Sequence, residues 1–349
     1  MPPAPPRPRP ILAGVAVPYA PAPDRPEYLR LDLNEDLSGP LARVGWPANA
    51  DLATYLPASP LVADLAAAFS VPTDRVWVTA GADEAIYGLL RAYLDAGDTL
   101  LLPWPTFGEF TKVGEGLGAA FERVPYGGDL AFPLAAYAAA LRQGPRVAVV
   151  VSPANPTGEL IPADEVLALA ALAPETMLVV DEAYAEYAGA SVLDLGPLPP
   201  NIAVIRTFSK AYGLAAARIG YVVAHPQVLY AMRQVLPTFS PALPSMRLAR
   251  AGLRRPDRLA ARVRAIQAGQ RRIARWGGAH GIAVHQTAAN FVLLRLDDSA
   301  KAQALAAALA QRGVLVADRT AALPGTLRVT VGAPRHVTAF LRALGAALD

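Results

Sequence analysis

From about residue 61 onward, the sequence alternates short runs rich in β-branched residues with longer stretches of helical length. The short runs are continuously apolar and are bounded by Gly, Pro or Asp, which is typical of strands buried on both faces. Such strands joined by helices predict an α/β fold with a mostly parallel sheet and helices on both faces. The predicted strands are residues 76–79, 99–102, 146–151, 177–181, 202–206 and 219–223, and the predicted helices include residues 83–94, 134–142 and 163–172.

The pattern changes after residue 236, where a proline-punctuated connection at 239–244 leads into a stretch with ten arginines at 246–276. We expect this stretch to form one long helix with a solvated basic face. Strands at 290–296, 314–316 and 326–331, a helix at 299–312 and a closing helix then predict a smaller α+β unit. We therefore predict an N-terminal arm (1–45) that joins the small domain, a large domain (46–236) and a small C-terminal domain (237–349).

The composition excludes several classes of function. No cysteine is present, which rules out disulfides, iron–sulfur clusters and a thiolate nucleophile. The 32 basic and 29 acidic residues leave a formal charge of +3, too small to indicate nucleic-acid or membrane partners. The four histidines form no helix-face pair with a carboxylate, so we expect no metal site. The N-terminus, MPPAPPRPRP, lacks an apolar signal core and is expected to be an extended or disordered arm, which favours a cytoplasmic location.

Polar residues follow four of the predicted strands at the point where each strand ends. Ligands of doubly wound sheets bind at this edge, where loops and helix N-termini converge. Each cluster alone is more often structural than functional, but four clusters at one edge of a sheet predict a shared site. They are GADE at 81–84, SPANPTG at 152–158, DEAY at 181–184, and TFSK at 207–210 with Arg218 eight residues beyond Lys210.

These residue types can together hold an aldehyde cofactor that has a pyridine ring and a phosphate group. Lys210, one of only three lysines, can condense with an aldehyde, and Asp181 can keep a pyridine nitrogen protonated. An asparagine amide and a tyrosine hydroxyl can hydrogen-bond a phenolic oxygen. Hydroxyls, an arginine and the N–H groups of a helix N-terminus can bind a phosphate. Phe107 offers a flat face on which a ring can stack.

The order of these motifs resembles that of the pyridoxal-5′-phosphate (PLP)-dependent fold-type I aminotransferases, and most closely the histidinol-phosphate aminotransferase branch. The resemblance extends from about residue 31 to residue 332. The segment from Ser209 and Lys210 to Arg218 is its most specific part. The motifs are GADEAI at 81–86, PTFG at 105–108, SPANPTG at 152–158, DEAY at 181–184, RTFSKAYGLAAARIGY at 206–221 and LRVTVG at 327–332.

The resemblance implies a cofactor, PLP, and a role for each matched residue around its ring. Lys210 would hold the cofactor as a Schiff base and move the substrate's α-proton, and Asp181 would pair with the pyridine nitrogen. Asn155 and Tyr184 would contact the ring 3-oxygen. Phe107 would stack on the ring, where the family more often has tyrosine.

The resemblance also implies how phosphate and substrate are bound. Arg328 would bind the α-carboxylate of a small-molecule amino donor or of a 2-oxo acid acceptor through its planar fork. Tyr55 would reach the cofactor phosphate of a partner subunit, which implies a homodimer. Five residues would bind the phosphate within the subunit: the backbone of Ala82 and Asp83, and the side chains of Thr207, Ser209 and Arg218.

Two departures from the family pattern concern the substrate. Where the family has a substrate-facing tyrosine in its N-terminal motif, the sequence NEDLSG at 34–39 has Ser38. Where the family has an arginine after the strand that precedes the carboxylate-binding residue, this chain has Ala317, with Arg319 two residues later. Because of these two departures, the sequence does not decide whether histidinol phosphate is a substrate. Arg335 is a candidate for replacing the missing arginine, but the motif match does not support it.

The leading functional prediction is transamination, with a histidinol-phosphate-type or aromatic donor. An alternative on the same scaffold is decarboxylation or lyase chemistry of the threonine-phosphate decarboxylase type, because sequence does not determine which substrate bond breaks. A PLP-binding regulator without turnover is a non-enzymatic alternative. A nucleotide-binding protein is disfavoured because the glycines of GEGLG at 114–118 have the wrong spacing for a phosphate-binding loop.

Overall fold

A computed structural model describes residues 25–348 together with Ile11 and Val15. The prediction of an extended or disordered proline-rich N-terminus, at residues 1–10, lies outside the described residues. Among the residues that are described, no helix is both long enough and apolar enough to cross a bilayer.

The described residues contain twelve strands, which form two sheets. They are β1 (Leu29–Leu31), β2 (Val76–Thr79), β3 (Thr99–Trp104), β4 (Ala120–Pro125), β5 (Val147–Val151), β6 (Met177–Asp181), β7 (Ile202–Thr207), β8 (Gly220–Ala224), β9 (Ala283–Gln286), β10 (Phe291–Arg295), β11 (Val314–Asp318) and β12 (Thr326–Thr330).

Twelve α-helices lie within the same described residues. They are α1 (Asn49–Leu52), α2 (Ser59–Ala68), α3 (Gly81–Tyr93), α4 (Gly108–Leu117), α5 (Leu134–Leu141), α6 (Ala163–Leu172), α7 (Ala185–Ala188), α8 (Pro226–Val235), α9 (Leu243–Leu253), α10 (Pro256–Ala279), α11 (Ser299–Gln311) and α12 (Pro334–Leu348).

The larger sheet has the strand order β2-β8-β7-β6-β5-β3-β4. Its neighbouring strands are parallel, except that β8 is antiparallel to both β2 and β7. Alternate residues of β5 pack into different apolar clusters: Val147, Val149 and Val151 on one side, and Ala148 and Val150 on the other. Both faces of the strand are therefore covered, which explains its unbroken apolar sequence. The prediction of an α/β fold with a mostly parallel sheet is confirmed.

The smaller sheet has the order β1-β11-β12-β10-β9. The short strand β1 is parallel to β11, and its Leu29 lies opposite Val314. The N-terminal part of the described chain thus adds an edge strand to a sheet that is built otherwise from residues beyond 280. The domain boundaries near residues 46 and 237 stay a prediction.

The arginine-rich stretch at 246–276 is two helices, so the prediction of one long helix was wrong. The first helix, α9, ends at Leu253, and α10 begins at Pro256. Proline has no N–H to donate and disfavours a helical conformation in the residue before it, so Arg255 adopts φ −125° and ψ 51° and the helix restarts.

Candidate active site

The four polar clusters predicted from the sequence lie at one edge of the larger sheet. Strands β5, β6 and β7 are adjacent and parallel, so their carboxyl ends point the same way. Strand β2 runs parallel to them because both β2 and β7 are antiparallel to β8. The residues that follow these strands therefore converge at one place, as ligand-binding loops do in doubly wound sheets.

An anion-binding corner forms where β2 leads into α3. Gly81 opens the helix with φ +82°, and a Cβ on this residue would lie 2.7 Å from Nη2 of Arg218. The Arg218 guanidinium therefore packs directly on the helix N-terminus, where backbone N–H groups favour an anion. In the structure it donates to Asp83 Oδ2 at 2.6 Å. Arg218 itself has φ 48°, a left-handed conformation that is uncommon for a residue with a side chain.

Two hydroxyl groups complete this corner at the end of β7. Thr207 Oγ1 lies 3.0 Å from Ser209 Oγ, and it also accepts a hydrogen bond from the Ser209 N–H at 3.1 Å. Both residues are buried. The corner thus combines a helix N-terminus, a guanidinium and two hydroxyls, which is a donor set suited to a phosphate dianion.

Lys210 follows Ser209 and extends toward the N-terminal part of the chain. Its Nζ donates to the carbonyl of Leu33 at 3.2 Å and lies 5.7 Å from the ring centroid of Tyr184. No carboxylate of the described residues forms an ion pair with this amine, whose hydrogen-bond acceptor is an uncharged carbonyl. The amine is therefore held beside Tyr184 without an ion-paired carboxylate among the described residues.

Asp181 is the last residue of β6, and its carboxylate is completely buried. The Ala183 N–H donates to its Oδ1 at 3.0 Å. Burial raises the pKa of Asp181 from 3.8 to about 7, although this hydrogen bond and the nearby Lys210 ammonium both favour the charged form. A buried carboxylate of this kind is suited to pairing with a protonated ring nitrogen.

Tyr184 is held by two residues, Asn34 and Thr330, that were not among the predicted site residues. Its hydroxyl accepts a hydrogen bond from Asn34 Nδ2 at 2.9 Å. Thr330 Oγ1 in turn donates to Asn34 Oδ1 at 3.1 Å. Asn34 belongs to the NEDLSG motif, and Thr330 lies two residues after Arg328 on the same face of β12. Asn34 could therefore have been predicted from its place in this motif, and Thr330 from its spacing of two residues from Arg328.

Arg328 is buried at the centre of β12 and points toward the second polar cluster. Its Nη1 donates to Asn155 Oδ1 at 2.6 Å, and its Nη2 donates to the carbonyl of Asp32 at 2.7 Å. Both acceptors are uncharged, and the Nε of Arg328 is buried without a hydrogen-bond partner among the described residues. Burial lowers the pKa of Arg328 from its ordinary value to about 9, and the positive charge of Arg319 adds to this shift.

Arg319 reaches the same region from the end of β11. Ala317 lies opposite Arg328 in the antiparallel ladder, and Arg319 lies two residues further, so all three side chains share one face of the sheet. The Nε of Arg319 is also buried without a hydrogen-bond partner among the described residues. Desolvation lowers the pKa of Arg319 as well. Arg335, in contrast, is exposed and donates to the ring of His336.

Three predicted site residues lie further out. Phe107 immediately precedes α4 and packs at the border of an apolar cluster. Ser38 is exposed in a turn in which its N–H donates to Asp36 Oδ1 at 2.8 Å. Tyr55 is 80% exposed and stacks on Phe239 with ring centroids 4.3 Å apart. No contact between any of these three side chains and Lys210 is found within the described part of the chain.

The residues present fit PLP. The anion-binding corner suits its phosphate, the buried Asp181 suits its pyridine nitrogen, and the amine of Lys210 suits its aldehyde. The raised pKa of Asp181 supports this fit, because the buried carboxylate forms no ion pair with any described residue, and a pyridinium would supply a cationic partner.

Comparisons with known proteins agree with this geometry. The family model of class I and II aminotransferases matches residues 49–344. An aromatic amino acid aminotransferase from Rhodococcus opacus is 35% identical over 332 residues, covering 93% of this chain and 91% of the relative. A histidinol-phosphate aminotransferase from Thermococcus gammatolerans is 33% identical over 291 residues, covering 83% of this chain and 80% of the relative.

Solved structures give the same result. The crystal structure of histidinol-phosphate aminotransferase from Sinorhizobium meliloti, in complex with PLP, superimposes with a TM-score of 0.88 at 27% identity and covers 99% of this chain and 98% of that one. Pyridoxal 5′-phosphate is accordingly the cofactor of this chain. The protein is a PLP-dependent enzyme that belongs to the class I and II aminotransferase family.

Proposed function

We propose that this aminotransferase moves an amino group between an aromatic or histidinol-phosphate-type amine and a 2-oxo acid. The observation that carries the proposal is a pair of guanidiniums on the sheet face next to Tyr184, those of the buried Arg328 and the half-buried Arg319. The Nε of each is buried without a hydrogen-bond partner among the described residues. Buried charges without a counter-ion are costly, so the pair favours a substrate that brings anionic groups. A 2-oxo acid brings a carboxylate, and histidinol phosphate brings a phosphate.

PLP supplies an electron sink when it is bound. The chain's own residues move the proton and orient the ring. Lys210 Nζ would take the proton from the α-carbon of the amino donor and pass it to the aldehyde carbon of the cofactor, a transfer that its position beside Tyr184 supports. Asp181 keeps the pyridine nitrogen protonated. Tyr184 and Asn155 orient the ring through its 3-oxygen, and Phe107 covers one ring face.

The phosphate end of the cofactor is held at the anion-binding corner. We assign this task to the backbone N–H groups of Ala82 and Asp83 and to the side chains of Thr207, Ser209 and Arg218. Arg218 exchanges its ion pair with Asp83 for the phosphate, which carries more charge and fits the guanidinium fork. The exposed position of this ion pair makes the exchange inexpensive.

Substrate anions are divided between the two arginines, the buried Arg328 and the half-buried Arg319. Arg328 binds the α-carboxylate, because its hydrogen bonds to Asn155 and to the Asp32 carbonyl already fix the direction of its fork. Ala317 stands where the family has an arginine, and Arg319 supplies the second guanidinium in its place. Arg319 binds a phosphate or a second carboxylate of the substrate. Ser38 borders the substrate without contributing a charge.

A donor screen tests this function. The holoenzyme is mixed with phenylalanine, tyrosine, histidinol phosphate, glutamate and small aliphatic amino acids, and cofactor absorbance is followed before products are analysed. We expect a spectral change and an oxo product from an aromatic donor or histidinol phosphate, with no release of CO2. Release of CO2 in proportion to turnover would instead support the decarboxylase alternative, and reaction with aliphatic donors alone would contradict the proposal.

Arg319 can be tested within the same screen. Arg319→Met should raise KM for histidinol phosphate and for glutamate by about tenfold or more, since a hydrogen-bonded charge pair contributes about 1.5–3 kcal/mol. KM for phenylalanine, which carries only the α-carboxylate, should stay within about twofold. An equal rise in KM for all donors would contradict this role, because it would show that Arg319 does not bind the second anionic group of the substrate.

We also propose that the enzyme acts as a homodimer in the cytoplasm. A groove of about 1120 Å³ is lined by three exposed aromatic residues, Tyr55, Tyr230 and Phe239, and by the half-buried Trp77. Trp46, nearby in sequence, is 77% exposed. Exposed aromatic side chains grouped in this way favour a protein interface. Tyr55 would then contact the cofactor phosphate of the partner subunit. Light scattering should give twice the chain mass, and a monomer with full activity would refute this arrangement.

A further inference from the structure

The Arg262 side chain in α10 contacts two active-site segments at once. Its Nε lies 3.1 Å from Asp36 Oδ2, and its Nη2 donates to the Gly39 carbonyl at 2.6 Å. Its Nη1 donates to the carbonyl of Ala211, the residue after Lys210, at 2.9 Å. One guanidinium thus joins α10 both to the loop that carries Lys210 and to a second segment of the chain.

The second segment, residues 33–39, lies directly against the reacting groups. The carbonyl of Leu33 accepts the hydrogen bond from Lys210 Nζ, and Asn34 holds the Tyr184 hydroxyl. The 33–39 segment therefore contacts both the lysine amine and the tyrosine hydroxyl.

The contact between the two segments is close and desolvated. The side chains of Arg262 and Asp36 are only 10% and 1% exposed. Gly213, in the lysine loop, has φ +68°, and a Cβ there would lie 2.3 Å from the Gly39 carbonyl oxygen and 2.9 Å from Arg262 Nη1. Two carbonyl acceptors and one ion-paired carboxylate, from two segments, converge on one planar fork. A lysine ammonium, a point charge on a flexible stem, does not reproduce this arrangement.

We propose that Arg262 is a positioning residue that holds the 33–39 segment against the loop carrying Lys210. It touches neither substrate nor cofactor; it acts through Lys210, Asn34 and the neighbouring Ser38. This inference rests on the role proposed above for Lys210. Arg262 would thereby set both the environment of the lysine-bound cofactor and the fit of the substrate.

The test compares Arg262→Lys with Arg264→Lys in the full-length holoenzyme. Arg264 lies two residues further along the same helix and is exposed, so its replacement makes the same chemical change without touching the two segments. Three quantities are measured: the PLP dissociation constant, the midpoint of the pH titration of the lysine-bound cofactor's absorbance, and KM and kcat for the best donor. The first two need no substrate.

We expect Arg262→Lys to retain the fold, because its ammonium still neutralises Asp36. The PLP dissociation constant and the donor KM should each rise about tenfold, as expected for the loss of charged hydrogen bonds, and the absorbance midpoint should move. Arg264→Lys should match the wild type in all three. An Arg262→Lys enzyme with an unchanged midpoint and unchanged constants would overturn the proposal.

A second variant decides the question if Arg262→Lys fails to fold. Asp36→Asn keeps the side-chain volume and removes only the ion pair, and it should move the absorbance midpoint in the same direction; an unchanged midpoint would again overturn the proposal. If the wild type reacts with no donor, the proposed substrate class fails. The cofactor dissociation constant and the midpoint still report on Arg262 in that case, so the two failures are distinguishable.

Discussion

Replacing Asp181 by asparagine should stabilise the cofactor-free protein at alkaline pH, although it removes a residue that we propose binds the cofactor. The Asp181 carboxylate is completely buried, and burial raises its pKa from 3.8 to about 7. The unfolded chain releases this proton near pH 4, whereas the folded protein keeps it until about pH 7. The folded state therefore loses stability as the pH rises through this window, and the loss is complete above it.

The size of the effect follows from the same two pKa values. A change from 3.8 to about 7, at about 1.4 kcal/mol per pH unit, corresponds to about 4 kcal/mol of free energy of unfolding at pH 8. Asparagine carries no charge, and its side-chain oxygen can still accept the hydrogen bond from the Ala183 N–H. The free energy of unfolding of cofactor-free Asp181→Asn should thus exceed that of the wild type by up to about 4 kcal/mol at pH 8. Near pH 4 the two free energies of unfolding should be nearly equal.

Urea unfolding of the cofactor-free proteins at pH 5 and pH 8 measures this difference. Glu175→Gln, on an exposed residue, controls for the loss of one negative charge. Saturation with PLP should reverse the order, because a ring nitrogen then pairs with the wild-type carboxylate. Parallel dependence of stability on pH in the wild type and Asp181→Asn would refute the reasoning that burial of this carboxylate destabilises the empty site.

Three further predictions concern other parts of the site. Lys210→Ala should lose the absorbance of the lysine-bound cofactor together with multiple-turnover activity, and retention of both would contradict the proposed role of Lys210. Because burial lowers the pKa of Arg328 to about 9, kcat/KM for carboxylate-bearing donors should fall as the pH rises through about 9; a flat profile from pH 8 to 10 would argue against this cation. Gly213→Ala should weaken PLP binding and destabilise the fold more than Gly189→Ala does, since both glycines have positive φ but only at Gly213 would the added Cβ collide with neighbouring atoms. Thermal unfolding and cofactor titration of the two variants measure that difference, and equal losses would show that backbone strain alone is responsible.

Several strands were predictable from the sequence within about one residue. The runs at 76–79 and 177–181 coincide with β2 and β6, because strands buried on both faces need unbroken apolar sequence. Strand β4 was not predicted: it lies at the sheet edge, is paired on one side by β3, and has mostly exposed or half-exposed residues. An edge strand needs no apolar run, so its sequence carries a weak signal.

The sequence by itself determined the α/β class and the polar clusters at the strand ends, because each of these depends on residues that are close together along the chain. It also indicated the cofactor, through the order of these clusters along the chain. The tertiary structure alone decided which groups meet across long separations. Asn34 and Thr330, 296 residues apart, meet beside Tyr184, and the register of β11 against β12 brings Arg319 near Arg328. Arg262 braces two distant segments. Hydrophobic periodicity specifies an element and its buried face, whereas the partner of a side chain depends on how complete elements pack, and local patterns do not encode that packing.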